Sequence, residues 1–195
     1  MSKQRKNIWK ICIVTGIVLL AIAGVAMAIW QGCLSIWEKQ SVSYVDNIKT
    51  LLPEIQNAVP EERRDNAMSI LSIDGRDFIG ILEMPKFQSA LPVGAEYGNI
   101  SRFPSCFSGS IYDGTLQIGV TNQKGQYDFY RNISVEDMVY FTDMEGNRFG
   151  LEVKDIRYSK HADQEALQRL DGALTLFIKN IYAFEYVIIT CDVAK

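Results

Sequence analysis

Few side chains in this 195-residue chain could do covalent chemistry. It has a single histidine, His161, and four cysteines, of which Cys106 and Cys191 lie far from an apolar N-terminus. A thiolate beside an imidazole makes a nucleophile–base pair, but the histidine activates the thiol only in contact with it. His161 falls in the polar run Tyr158–Gln164, which reads as a solvated loop. One histidine with scattered carboxylates gives no metal-ligand spacing, so neither a metal nor a cofactor is expected. The remaining candidate is Lys179, which closes the apolar run Leu174–Ile178. Its ammonium becomes a nucleophile only after losing a proton, and Glu185, if the two pair, holds the charge on. A lysine at such a strand end stands at the domain surface or in a pocket, and both readings stay open.

The elements that would position these groups are mostly strands. LTLFIKNIYAFEYVIITCD (Leu174–Asp192) contains two apolar runs, Leu174–Ile178 and Tyr186–Thr190, rich in Val, Ile, Thr, Phe and Tyr and without helical spacing. A pair of buried strands fits that composition. After Met68 the chain breaks into short alternating segments separated by turn signals. Asp74-Gly75 predicts a hairpin between Ser69–Ile73 and Asp77–Met84. Asp113-Gly114, Lys124-Gly125, Glu145-Gly146-Asn147 and Asp171-Gly172 mark further turns. Between them Ala90–Val93, Leu116–Thr121, Met138–Thr142 and Arg148–Tyr158 read as strands. A short helix is expected over Asp163–Leu170 and a looser turn over Tyr127–Asn132. About seven or eight short strands at this density predict a mainly β fold, a closed or nearly closed barrel.

The N-terminal part is different. Ile11–Trp30 is an uncharged apolar run of twenty residues, long enough to cross a bilayer as a helix. Lys3, Arg5, Lys6 and Lys10 precede it and no basic cluster follows at once. The positive-inside rule then leaves the N-terminus cytoplasmic and the rest of a single-pass membrane protein extracellular. A cleavable signal is the competing reading, since Ala26-Met27-Ala28 resembles a cleavage site. Removing the four basic charges from the net of −3 leaves the remainder at −7. An acidic domain without a basic stripe argues against nucleic acid as a partner. Cys106 and Cys191 could form a disulfide outside the cytoplasm. Val45, Ile48, Leu52, Ile55 and Val59 recur at steps of three and four, a helical stripe that Pro53 should end near Leu52. This stripe reads as a stalk, with packing of its second half against the barrel as the alternative. Pro60 and the charged run Glu61–Asp65 read as a linker. The expected organisation is therefore 1–33 tip and anchor, 34–68 stalk and linker, and 69–195 barrel.

FIGILEMPKFQSALPV (Phe78–Val93), FPSCFSGSIYDG (Phe103–Gly114), YFTDMEGN (Tyr140–Asn147) and LTLFIKNIYAFEYVIITCD together resemble the sortase family. The resemblance is to the class B/D-like sortases of Gram-positive bacteria, which carry an N-terminal membrane anchor, and it runs from about Ser69 to the end. It implies a sortase-like barrel. It also implies a cysteine transpeptidase chemistry, in which an LPXTG-type sorting signal is cut and its acyl group passed to an amine on the cell wall or a pilin.

That chemistry needs a thiolate, a histidine to protonate the leaving amine, and an arginine at the oxyanion. Carried over by position, the histidine's place at the end of QIGVTN falls on Thr121. The cysteine's place at the end of TLFIK falls on Lys179, and the arginine's place at the start of the next strand on Tyr186. The resemblance thus implies a degenerate member, a pseudoenzyme in the cell envelope. Its partners would be a sorting-signal-like peptide, a pilin or surface protein, or a catalytic sortase. The groove would be lined from Ile118, Val120, Thr121, Phe177, Lys179 and Tyr186. Tyr182 and Phe184, in a loop without the group's usual glycines, would fill or cover it. The alternative is an active transpeptidase using Cys191 or Cys106, although placing Cys191 at the catalytic cysteine disrupts the spacing from YFTDMEGN that Lys179 keeps.

Overall fold

A computed structural model describes residues 3–61, 66–97, 103–121, 131–160, 172–180 and 185–194. The expected helix over Asp163–Leu170, most of the Tyr127–Asn132 turn, His161, Tyr182 and Phe184 lie outside the described residues.

The first element is helix α1 (Lys3–Leu51). Contacts divide the chain into two units, Met1–Glu38 and Lys39–Lys195. In the first unit Val14, Ile17, Leu20, Val25 and Ile29 are all exposed. Among the described residues this is the one helix long and apolar enough to cross a membrane, with a mean hydropathy of 2.7 over its most apolar window. A helix apolar all round and covered by no protein is suited to a lipid environment. An N-terminal helix of this kind serves as a membrane span or as a signal sequence.

In the second unit, the last turns of α1 belong to the packing of the barrel. Val45 and Ile48 are buried against Phe78 and Ile81, with Tyr44 and Leu52 beside them. Lys49 adds an ion pair to Glu83 at 2.7 Å. The helix stops where expected: Leu52 N–H still donates to the Ile48 carbonyl, and Pro53 disfavours a further helical residue before it. The predicted stripe therefore holds only to Leu52. Ile55 and Val59 are exposed, and Gln56–Ala58 between them is an extended strand, β1. The stretch from Lys39 to Leu52 groups with the barrel unit, with Val45 and Ile48 buried against the barrel wall and Val42 and Leu51 left exposed.

The strands that follow are β2 (Leu71–Ile73), β3 (Arg76–Met84), β4 (Ser89–Gly94), β5 (Ser105–Ser108), β6 (Leu116–Thr121), β7 (Met138–Asp143), β8 (Asn147–Ser159), β9 (Leu174–Asn180) and β10 (Glu185–Val193). Eight of them close a ring in the order β3-β4-β5-β6-β9-β10-β8-β7 and back to β3. The short β1 and β2 lie outside it, on β8 and β3 respectively. Closure removes the unpaired edges that an open sheet of this size would present. The Asp74-Gly75 hairpin forms as its sequence predicts, both residues taking positive φ, the type I′ geometry that suits strand twist.

The interior is one apolar cluster. Leu82, Val93, Ile118, Phe141, Leu151, Leu176, Ile178, Val187 and Ile189 meet in it from seven strands. Each strand delivers alternate residues inward, the period of two that the pleat imposes. The one buried carboxylate of the described barrel, Asp143, sits at the β7–β8 turn. Its Oδ1 accepts the Glu145 and Asn147 N–H groups at 2.8 Å, and its Oδ2 accepts the Tyr112 hydroxyl and the Asn147 amide. The segment DMEGN thus ties the hairpin to the Ser110–Gly114 turn. Burial, and then Asp143 itself, push the Tyr112 hydroxyl well above the ordinary tyrosine range.

Candidate functional site

Strand register brings three of the sequence-derived positions into one row. β6 and β9 run parallel with Thr121 opposite Lys179, and β10 runs antiparallel to β9 with Tyr186 opposite Lys179. Neighbouring strands lie about 4.8 Å apart, so the three backbones share one end of the barrel. Lys179 is exposed and Tyr186 half-buried. The lysine therefore stands at the surface, the first of the two readings its strand-end position allowed.

The parity of each strand then sorts the other groove candidates. Ile118 and Val120 point inward and are buried in the barrel core. This corrects the expectation that they line a groove: on a strand with Leu116, Ile118 and Val120 on one face, the apolar face packs inward. Phe177 has the opposite parity to Leu176 and Ile178 and lies outside that core. It is nonetheless covered, with only 2% of its surface exposed, because Tyr97 and Phe107 pack over it together with Ile188 of β10. The three rings meet at centroid distances of 4.8 Å (Tyr97–Phe107), 5.2 Å (Phe107–Phe177) and 5.7 Å (Tyr97–Phe177). Gly119 makes this possible. A Cβ there would come within 2.5 Å of both the Phe177 and Tyr97 rings. Burial, and secondarily the neighbouring Tyr186, raise the Tyr97 hydroxyl above its ordinary range. The aromatic cluster thus runs up to the Thr121–Lys179–Tyr186 row.

The thiols are elsewhere. Cys191 lies in the core with none of its surface exposed, and burial pushes its thiol from the ordinary 9.0 up to about 12. Its inward parity on β10 is what puts it there. Cys106 on β5 is half-buried against the same core, and burial raises its thiol too. Both are free, so they form no disulfide. A thiol raised in this way is a poorer nucleophile at neutral pH, the reverse of what a reactive cysteine requires. Among the described residues no group of three or more His, Cys, Asp or Glu side chains could hold a metal.

Two surface hollows occur away from the row. One, of about 420 Å³, lies between β1, Tyr140, Arg148, Gly150 and the end of β10. The other, of about 320 Å³, lies beside the β2–β3 hairpin and includes Arg76, Phe78, Glu96 and Phe103. Neither includes Thr121, Lys179 or Tyr186 among its lining residues.

No protein-family model and no curated protein sequence matches this chain. Solved structures do. Sortase C-3 from Streptococcus pneumoniae superposes with a TM-score of 0.53 at 16% identity, covering 83% of each chain. Sortase A from Corynebacterium diphtheriae gives 0.52 at 17% identity, over 62% of each chain. Sortase A from Listeria monocytogenes gives 0.50 at 15% identity, over 60% of this chain and 88% of that one. The fold is sortase-like. At these identities the likeness is one of fold, and it agrees with the family suggested by the sequence motifs. On this sortase-like barrel, the Cys106 and Cys191 positions are set by parity inside the wall, whereas Lys179 emerges at a strand end. Sequence reasoning missed Tyr97 and Phe107, although Gly119 inside a strand was a signal for close approach by something bulky.

Proposed function

We propose that this protein is a membrane-tethered, non-catalytic sortase-like barrel, with its N-terminus cytoplasmic and its barrel outside. It holds a peptide or another envelope protein along the outer face of β6, β9 and β10 without cutting it. The observation that carries this reading is the row itself. The place that the resemblance assigns to a thiolate is occupied by the exposed ammonium of Lys179, between Thr121 and Tyr186. A threonine hydroxyl does not titrate near neutrality and cannot protonate a leaving amine. A tyrosine can donate a hydrogen bond to an oxyanion but brings no positive charge. Loss of one member of a nucleophile–base unit costs on the order of 10⁶ in rate. Three such replacements leave no acyl-transfer cycle, and neither barrel thiol is placed to restart one.

The test uses the full chain in detergent micelles with a fluorescent LPXTG-type peptide and an amine acceptor. The expected result is no cleavage and no acyl-enzyme mass, with slowed amide exchange on β9 and β10 when peptide is added. Turnover that vanishes in Cys191→Ala or Cys106→Ala would overturn the proposal in favour of an active transpeptidase.

A further inference from the structure

The outer face leading to the Lys179 row is already occupied by the chain itself. Phe177 and Ile188, on adjacent strands and with outward parity, are 2% and 5% exposed. In the described structure the apolar groups packed on this pair are Tyr97, after β4, and Phe107 on β5. Both arrive by specific local geometry. The pairing of β5 with β6 slips between Cys106 and Ser108, so Phe107 sits at a β-bulge. Bulges re-aim side chains and are frequent beside functional sites. Tyr97 lies over Gly119, where the missing Cβ lets the ring approach the β6 backbone. Both covering residues are themselves half-buried, not sealed within the barrel wall.

We propose that Tyr97 and Phe107 form a displaceable plug in the peptide groove, so that a ligand binds by replacing the Tyr97 ring over Gly119 and Phe177. This rests on the groove assigned to that face above. The ligand class follows from the surface that the plug leaves when it moves: two strand backbones flanking an aromatic and a branched aliphatic side chain, with an ammonium at one end. An extended peptide carrying a bulky apolar residue fits the middle. A carboxylate group on the same peptide would meet Lys179. Tyr97 is the residue that sets the threshold for entry, since its ring meets Gly119, Phe177 and Phe107 together.

The experiment has two arms, both on the full chain in detergent micelles. In the first, Ile188→Cys is a reporter, and its alkylation by a small maleimide is followed by peptide mass mapping. Adding Tyr97→Ala should raise the alkylation rate at least tenfold while the thermal midpoint stays within a few degrees. Gly119→Ala, whose Cβ would meet the Tyr97 and Phe177 rings alike, should also raise the rate, and Tyr97→Phe should change nothing. An unchanged rate in both variants, or a rise no larger than the loss of global stability accounts for, overturns the plug. In the second arm a fluorescein-labelled LPXTG-type peptide is titrated onto the wild type and Tyr97→Ala. Binding at least tenfold tighter in the variant supports both plug and groove. Equal binding overturns the plug and leaves the groove standing. No binding to either sinks the groove and with it the plug, whatever the first arm reads.

Discussion

Cys191 gives the most quantitative handle on this barrel. Its thiol is fully buried in the core and raised from 9.0 to about 12 by loss of solvation. In the unfolded chain it ionises near its ordinary value, so the folded state binds the proton more tightly. Such a group contributes stability that is fully present below pH 9 and lost as pH rises toward 12. The whole shift corresponds to about 4 kcal/mol, of which roughly a third should be gone by pH 10.

Cys191→Ala removes this dependence and leaves a small cavity, a cost of about 1–2 kcal/mol at neutral pH. The two stability curves should therefore cross between about pH 9.5 and 10.5. The assay is urea unfolding of wild type and variant in micelles from pH 7.5 to 10.5. Taking the difference cancels Tyr112, Tyr97 and Cys106, which are raised in the same direction in both proteins. A difference that stays flat across this range would refute the reasoning. So would rapid alkylation of Cys191 at pH 7, where a thiol of this kind has a thiolate fraction of only about 10⁻⁵.

Further outcomes follow from named contacts. Ile48→Ala should cost about 2–4 kcal/mol in denaturant unfolding of the barrel, because the side chain is wholly buried against Phe78 and Ile81. Val42→Ala, exposed on the same helix, should stay within about 0.5 kcal/mol. Asp143→Ala takes the acceptor from the Glu145 and Asn147 backbone N–H groups and one acceptor each from the Asn147 amide and the Tyr112 hydroxyl, and should cost about 3 kcal/mol or more by the same measurement. Tyr112→Phe, which removes one of those donors, should cost about 1–3 kcal/mol. Lys179→Cys should place an exposed thiol in the row that alkylates at least ~10³ times faster than Cys191 at neutral pH. It should still show no peptide cleavage, since no imidazole is restored beside it. Cleavage by that single variant would show that the nucleophile alone was missing.

Much of the fold was legible because the barrel strands carry their own period. Leu116, Ile118 and Val120 alternate with Gln117, Gly119 and Thr121, and the apolar set is the one buried. β5 was not recognised because Ser-Cys-Phe-Ser follows Pro104 and has neither alternation nor β-branched residues, its pairing being set by β6. β1 was missed for a similar reason: Gln56–Ala58 is an extended polar segment whose only strand signal is its partner β8. The site was half legible. Counting along matched motifs located Thr121, Lys179 and Tyr186, and register then put them side by side. Choosing groove residues by strand, without regard to parity, brought Ile118 and Val120 in wrongly.

The aromatic cover illustrates what a linear reading lacks. β9 reads Leu-Thr-Leu-Phe-Ile-Lys-Asn, apolar on both faces over its middle, so alternation alone cannot say which face needs a partner. Closing the barrel consumes Leu174, Leu176 and Ile178, and leaves Phe177 with an aromatic ring on the outside. An isolated outward phenylalanine next to Ile188 would expose an apolar strip at the end of the barrel where Lys179 emerges. The chain covers it with two residues from a distant part of the sequence, and the missing Cβ at Gly119 leaves room for the Tyr97 ring. Placing a glycine where the neighbouring strands carry large side chains weakens a strand locally. That local weakness at Gly119 is offset by the contacts of Tyr97 and Phe177, so the alanine substitution that would strengthen β6 as a strand is the same one that would press on both rings.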